Sequence, residues 1–523
     1  MIQWLRAALG LPAGFVGTIH DSATTATLSA VLTMREAALN WAGLQAGLSG
    51  QPRLRIYASA ETHSSVDKAA RIAGIGQDNL VKIATDAGHS MRPKVLAAAI
   101  AAQLPGLAPE LAEPMEAIFA DFERIVPDGM THWQHPRFFA YFPANAAPAS
   151  MLAEQLANAI AAQGMLWQTS PAATEMEEVM VQWLRSALGL PAGFVGTIHD
   201  SATTATLSAV LTMREAALNW AGLQAGLSGQ PRLRIYASAE THSSVDKAVR
   251  LAGIGQDNLV KIATDAAHSM RPEVLASAIE ADRAAGFLPC GVVLCAGGTS
   301  IGAFDRIADC IAVAKDKDVP VQVDAAWAGS AMIGPEFRHL WAGVEGADSI
   351  VFNPHKWLGA QFDCAVQFLA DPAPQIRTLG LRPTYLETAG REEITNFNEW
   401  TVPLGRRFRA LKLWFLMRAY GLDGLRIRIR NHVAWAEASA KALAALPGVS
   451  IVTPPSLSLF TFALDAGDPA TESLLARIND DGRVYLTQTK VDGRYVIRVQ
   501  VGQFDCTVED VAMIAIVVAE LTA

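Results

Sequence analysis

VPVQVDAA, residues 319–326, is a short run of valines that ends in an acid and two small residues. Two neighbours share its grammar: GVVLCAGG at 291–298 and DSIVFNPH at 348–355. Between the first two lies DRIADCIAVAKDKD (305–318), whose apolar residues recur at helical spacing. β-branched runs alternating with helices at this interval imply an α/β fold built on a mostly parallel sheet with helices on both faces. Ligands in such folds sit beyond the carboxyl ends of the strands. Asp324 and Lys356 each fall at or just past such an end.

Working outward, the chain changes character near Arg409. A long helical stretch (409–446) leads into VSIVTPP, SLFTFAL and two alternating runs joined by Asp492-Gly493, a dipeptide suited to a hairpin turn. A smaller α+β unit is expected there, closed by VEDVAMIAIVVAEL (508–521) as a docked helix. LGLRPTYLETAGREEITNFNEW (379–400) is polar and without period, the composition of a lid beside a site.

Upstream, GTIHDSATTATLSAV occurs twice, from Gly17 and from Gly196. Met1 aligns with Met180, and only about seven positions differ before residue 100, among them Ile2/Val181, Gly88/Ala267 and Lys94/Glu273. Solenoid repeats are short, diverged and several; this is one long pair. The expected organisation is therefore a duplicated segment at 1–102, an N-terminal part at 103–179, a large domain at 180–375, a lid and return at 376–408, and a small domain at 409–523.

The 523 residues are 51% apolar and 18% charged, a well-buried globular composition. A formal charge of −9 without any Lys/Arg block argues against nucleic acid and anionic membranes as partners and favours a small-molecule substrate. Five cysteines without a CxxC pair read as reduced thiols of a cytoplasmic protein, and the first residues lack the pattern of a signal peptide. His132 and His135 stand three apart with no acid or cysteine to complete a set, so no metal is expected. GIGQDN at 253–258 lacks the third glycine of a dinucleotide fingerprint and reads as a turn.

Taken singly, the chemistry-bearing residues are ambiguous. A lysine after a strand ordinarily reaches solvent; if buried, its pKa falls and it becomes a nucleophile. Asp324 could cap a helix, pair with a cation or bind a metal, and a lone histidine such as His242 is more often structural. The aromatic cluster Trp133, Phe138, Phe139, Tyr141 and Phe142 reads more readily as core or subunit interface. Together they form a specific inventory: a lysine for a Schiff base, an acid for a ring nitrogen, an imidazole for stacking, and a helix N-terminus at HDSATTATL for a phosphate.

That inventory resembles the group II pyridoxal-phosphate decarboxylases, specifically the aromatic-L-amino-acid decarboxylase family. The likeness runs from about residue 105 to the C-terminus through THWQHPRFFAYFPAN, SPAATEME, HDSATTATL, THSSVDKA, VDAAWAGSAMIGPEFRHL, ADSIVFNPHKWL, PTYLE and PLGRRFRALKLWF, in family order. It implies the fold type I architecture of pyridoxal-phosphate enzymes and a homodimer. It implies that Lys356 holds the cofactor, Asp324 keeps the pyridine nitrogen protonated, and His242 stacks on the ring. Ser201, Ala202 and Thr203 would cradle the phosphate, with Thr299, Ala326, Asn353 and His355 nearby. Tyr385, in the lid segment, would protonate the carbanion left by CO2. Trp133, Tyr141, Phe142 and Pro143 would line the pocket of an aromatic amino acid, with Gly405 leaving room for an indole.

The reaction so implied is decarboxylation of tryptophan, tyrosine, dihydroxyphenylalanine or phenylalanine to the arylalkylamine. The alternatives are an aldehyde synthase, which also deaminates oxidatively, and a non-catalytic relative. Three departures stand out: Asp200 where many members carry glycine, Gly298 in place of a threonine for which Thr299 could stand in, and the N-terminal repeat in place of helices that swap across a dimer. The N-terminal repeat has its own histidine, His63, but ends before any counterpart of Asp324 or Lys356, so one site per chain is expected.

Overall fold

The computed structural model describes residues 6, 11, 15–59, 62–83, 112, 114–125, 131–144, 147–381 and 394–522. The N-terminal repeat contributes a helix α1 (Ala23–Ala38), a strand β1 (Ile56–Ser59), a helix α2 (Ser65–Ile72) and a strand β2 (Leu80–Ile83), with β1 and β2 paired in parallel as a two-stranded sheet. After a helix α3 (Pro171–Leu188), the inner repeat folds the same way but within a larger frame: β3 (Val195–His199), α4 (Ala202–Ala217), β4 (Leu233–Ser238), α5 (Ser243–Leu251) and β5 (Leu259–Ile262). Then follow α6 (Pro272–Ala284), β6 (Leu288–Cys295), α7 (Ile307–Asp316), β7 (Val321–Asp324), β8 (Ser349–Phe352) and β9 (Ala365–Leu369).

These strands form one seven-stranded sheet in the order β3-β9-β8-β7-β6-β4-β5. The pairs β8/β7, β7/β6, β6/β4 and β4/β5 are parallel; only β9 runs against its neighbours. The α/β expectation of a mostly parallel sheet thus holds. All four residues of β7 and β8 and all five of β9 are buried, as strands covered on both faces must be. Helix α4 crosses β6 closely: a Cβ at Gly291 would lie 2.4 Å from Met213 Sδ, so this crossing requires glycine.

The small domain opens on α8 (Ala410–Ala444), which breaks at Gly421 (φ 62°, ψ 165°) into two helical stretches. Its antiparallel sheet has the order β10-β11-β13-β12, with β10 Val449–Ser456, β11 Leu459–Leu464, β12 Thr487–Val491 and β13 Arg494–Gln500. The hairpin turns at Asp492-Gly493 with φ of 50° and 83°, the left-handed pair that a two-residue turn of twisted strands needs. A final helix α9 (Val508–Thr522) buries Val511, Ile514, Val517 and Val518 against this domain. No helix among the described residues is long and apolar enough to cross a membrane.

Candidate active site

Three strand ends and two helix starts meet at the carboxyl edge of the sheet. Strand β6 ends at Cys295, β7 at Asp324, and β8 runs into Asn353 and a single wide turn, Pro354–Leu358, that carries Lys356. Gly359 ends that turn with φ 104°, and a Cβ there would meet the Phe504 ring at 2.5 Å. Opposite, α4 begins at Ser201 with a capping box: Ser201 Oγ accepts from Thr204 N (3.3 Å) while Thr204 Oγ1 accepts from Ser201 N (3.3 Å). Helix α5 is capped by His242, whose Nδ1 accepts from Ser244 N (3.1 Å).

The enclosed space is a cavity of about 200 Å3, lined on one side by Ser201, Ala202 and Thr203, and on the other by Asp324, Ala326, Asn353 and Lys356. His242, Thr299, Phe142 and Trp327 complete its wall. A roomier cavity of about 540 Å3 lies by Leu288, Pro320 and Ser349, at the amino ends of β6, β7 and β8. That is the wrong edge of a parallel sheet for a ligand, and it carries no comparable set of groups.

The electrostatics favour chemistry at Lys356. Burial pushes its ammonium down to about 8, with Asp324 opposing the shift and Arg498 adding to it. Its Nζ lies 4.7 Å from the centroid of the Phe142 ring, and the Arg498 guanidinium carbon lies 4.7 Å from the same centroid. Asp324 Oδ1 accepts from Ala326 N (3.0 Å), which fixes the carboxylate. Partial burial lowers the pKa of His242; Asp324 opposes this and Lys356 adds to it. With Nδ1 held as an acceptor, the neutral ring carries its proton on Nε2.

The conserved domain of pyridoxal-dependent decarboxylases matches residues 1–104 and, a second time, residues 101–465. The chain belongs to the pyridoxal-dependent decarboxylase family. Within it the chain groups with the aromatic-L-amino-acid decarboxylases: it is 38% identical over 427 residues to that enzyme of Sus scrofa, across 79% of this chain and 87% of the other. Among solved structures, the Oryza sativa TDC with PLP and tryptamine shares 30% identity at a TM-score of 0.77, covering 97% of this chain and 99% of that one. The Rhodiola rosea 4-hydroxyphenylacetaldehyde synthase shares 29% at 0.75, covering 96% and 98%.

The cavity of this decarboxylase suits the family's cofactor on its own terms. Asn353 Oδ1 and Ser244 Oγ are buried at its wall without a hydrogen-bond partner among the described residues, a costly state unless a ligand completes them. The first turn of α4 leaves N–H groups without intrahelical acceptors, a natural seat for a phosphate. A carboxylate and an amine face the same space. Ser201, Ala202 and Thr203 would hold the phosphate of pyridoxal phosphate, Asp324 its ring nitrogen, and Lys356 its aldehyde carbon.

Of the residues singled out in the sequence for the cofactor, His355 alone stands outside this wall. It is buried behind the turn, where Nδ1 accepts from Cys364 N (2.8 Å) and burial drops its pKa to about 3. Of the three pocket aromatics and their proline, only Phe142 lines the cavity. Trp133 and Tyr141 stack on each other (centroids 5.3 Å apart) and stay 43% and 47% exposed; Pro143 is buried beside Phe142. Gly405 does not border the cavity; a Cβ there would meet Gln163 Nε2 at 3.2 Å. Tyr385 lies outside the described residues. Asp200 turns its carboxylate from the cavity to Thr204 Oγ1, which donates to it, and burial raises its pKa.

Trp327 on the wall and Arg498 packed against the Phe142 ring were not flagged by the sequence. Trp327 stacks between Phe142 (4.8 Å) and Trp357 (5.2 Å), and nothing but its place after Asp324 could have flagged it. Arg498, on β13 of the small domain, donates through Nη1 to Ala140 O (2.5 Å) and through Nε to Thr299 O (3.0 Å).

Proposed function

We propose that this chain decarboxylates an aromatic L-amino acid, among tryptophan, tyrosine, dihydroxyphenylalanine and phenylalanine, to the corresponding arylalkylamine and CO2. One observation carries the reading: the Lys356 amine, the Asp324 carboxylate, the His242 imidazole and the N-terminus of α4 converge on one cavity walled by the Phe142 and Trp327 rings. Pyridoxal phosphate, when bound, supplies an aldehyde that joins to amines and a ring that accepts the electron pair left as CO2 departs.

The protein's share is positioning and proton control. Lys356, depressed to about 8, has a substantial neutral fraction near physiological pH and so offers a nucleophile. Asp324, pinned by the Ala326 N–H, keeps an oxygen available to a ring N–H. His242 presents its Nε2 proton from a ring whose orientation Ser244 sets. Arg498 is buried against the Phe142 ring, and its charge favours the neutral form of the Lys356 amine. Phe142 and Trp327 give a flat side chain apolar faces to stack on. Tyr385 is the proposed proton donor from the 379–400 segment.

The proposal extends to a cytoplasmic setting, which suits five buried free cysteines, and to a homodimer as the working assembly. The test is CO2 release from the four amino acids by protein loaded with pyridoxal phosphate, with peroxide measured in parallel. Release without peroxide is expected. No CO2 from any of the four would refute the reading, and peroxide formed in step with CO2 would reassign the chain to aldehyde synthesis.

A further inference from the structure

The turn that carries Lys356 has little to hold it in shape from within. Pro354–Leu358 is a single wide turn, closed by Gly359 N and Ala360 N, which both donate to Pro354 O (3.1 Å each). A lone turn fixes many dihedral angles for very few hydrogen bonds, and its last carbonyls find no donor within it. Its shape must come from what packs against it. The second stretch of α8, past the break at Gly421, supplies two side chains that do so. Arg428 Nη2 donates to Trp357 O (2.9 Å) and to Leu358 O (2.5 Å), the two carbonyls that directly follow Lys356. One helical turn on, His432 Nδ1 accepts from Trp357 Nε1 (2.9 Å). Residues four apart share a face of a helix, so Arg428 and His432 grip the turn together.

As a stabilising contact the Arg428 grip is a poor choice. The Phe504 ring covers its guanidinium, with the central carbon 4.2 Å from the ring centroid, and its Nε and Nη1 are buried without a hydrogen-bond partner among the described residues. Buried N–H groups left unpaired destabilise a fold, so packing alone would favour an apolar side chain here. His432 is fully buried, and burial together with the Arg428 charge holds its pKa well below the usual range. The ring therefore stays neutral and Nδ1 remains an acceptor. Neither residue lines the cavity. The charges that shift the Lys356 amine are those of Asp324 and Arg498, so what Arg428 supplies to Lys356 is place and not charge.

We propose that Arg428 and His432 are positioning residues for Lys356: from the small domain they hold the carbonyls of Trp357 and Leu358 and the Trp357 indole, and so fix where the amine stands when pyridoxal phosphate arrives. This rests on the reading of Lys356 as the residue that holds the cofactor. Misplacing a reacting group by about 1 Å costs up to about a hundredfold in rate, so a loosened turn has a measurable effect without any change at the cavity wall. One face of α8 thereby ties the small domain to the reactive amine of the large one.

The test is the rate at which cofactor-free protein captures pyridoxal phosphate, followed by the visible band across a series of pH values, with urea unfolding of the same cofactor-free protein in parallel. Arg428→Met should slow capture about tenfold at every pH and leave the pH midpoint where it was. It should also weaken the circular dichroism of the bound cofactor, while the urea midpoint stays unchanged or rises. Arg428→Lys, which keeps a cationic donor, should recover most of the rate. His432→Leu should slow capture likewise, and His432→Asn, which keeps an acceptor for the indole, should restore it. Capture by Arg428→Met at the unaltered rate would overturn the proposal, because the turn would then hold itself. A lowered urea midpoint would overturn it by marking a packing role, and a moved pH midpoint by marking an electrostatic one. A Lys356→Met protein that still acquires the band would instead overturn the reading of Lys356 on which the proposal rests.

Discussion

If Lys356 is the residue that captures the cofactor, the rate of capture must follow its neutral fraction. With a pKa of about 8 in place of 10.5, that fraction at pH 7 is roughly 9% against roughly 0.03%, a gain of about 300-fold. Part of the shift comes from Arg498. Since Lys356 Nζ and the Arg498 carbon each lie 4.7 Å from the Phe142 centroid, they are at most about 9 Å apart. At an effective dielectric constant of about 20, that separation corresponds to about 1.8 kcal/mol of repulsion, or roughly one pKa unit. The sign follows directly: removing the cation lets Lys356 keep its proton longer, so its pKa rises.

Arg498→Met should therefore move the midpoint of cofactor capture up by about one pH unit and slow capture at pH 7 by about tenfold, with little effect above about pH 10. Asp324→Asn should move the midpoint down, because the carboxylate holds the proton on Lys356. Mixing cofactor-free protein with pyridoxal phosphate across this pH range and following the visible band of the linked cofactor measures both, with Lys356→Met as the blank. A midpoint at or above about pH 10 in the unaltered protein, or one that Arg498→Met leaves in place, would refute the electrostatic account.

Three further outcomes are expected. Asp200→Asn keeps an acceptor for Thr204 but removes a charge beside the phosphate seat, so the cofactor Kd should fall about tenfold at neutral pH by fluorescence titration, and an unchanged Kd would refute this charge account. Arg406 donates twice to Glu177 (2.7 and 3.0 Å) in a buried pair, so Arg406→Leu should cost about 3–5 kcal/mol in urea unfolding, most of it recovered when Glu177→Leu is added. Phe142→Leu removes a stacking face, and should raise KM for an aromatic substrate up to about tenfold, more than it lowers kcat.

Sheet and site differed in how far they could be read from residues alone. The strands that end in small residues or an acid announced both the parallel sheet and the edge where Asp324 and Lys356 meet, because burial on both faces leaves a continuous apolar run. The reversed direction of β9 was not legible: AVQFL (365–369) is apolar but for Gln367, and such a run carries no sign of its direction. Arg498 was hidden for a related reason. It sits in an alternating hairpin strand where a charged residue reads as solvent-facing, and only the docking of the small domain buries it against the Phe142 ring. Trp133 and Tyr141 show the converse: their residue types fit a pocket, yet they stack on one another at the surface and leave Phe142 alone at the cavity.

The repeats separate what local sequence fixes from what context decides. ATTATLSAVLTMREAA forms a 16-residue helix twice, with the same capping box and, just beyond it, the same left-handed tryptophan (Trp41 φ 64°, Trp220 φ 62°). GTIH, identical in both, is a strand only in the inner repeat, where β9 offers it hydrogen bonds; at 17–20 it is irregular. Likewise Met213 packs 4% exposed against Gly291 while Met34 stands 57% exposed, a difference of about 1–2 kcal/mol of burial for one side chain. What the N-terminal repeat keeps buried is the side that faces its twin: Arg35, Leu48 and Ala73 are all under 6% exposed. A segment that has lost the packing of its sheet face but stays docked on the inner repeat, through bonds such as Leu48 N to Gly253 O (2.9 Å) and Arg35 to Arg250 O (3.0 Å), is stabilised chiefly by that interface. Its folding and its docking are therefore one equilibrium, so any lesion in the interface should loosen the whole segment.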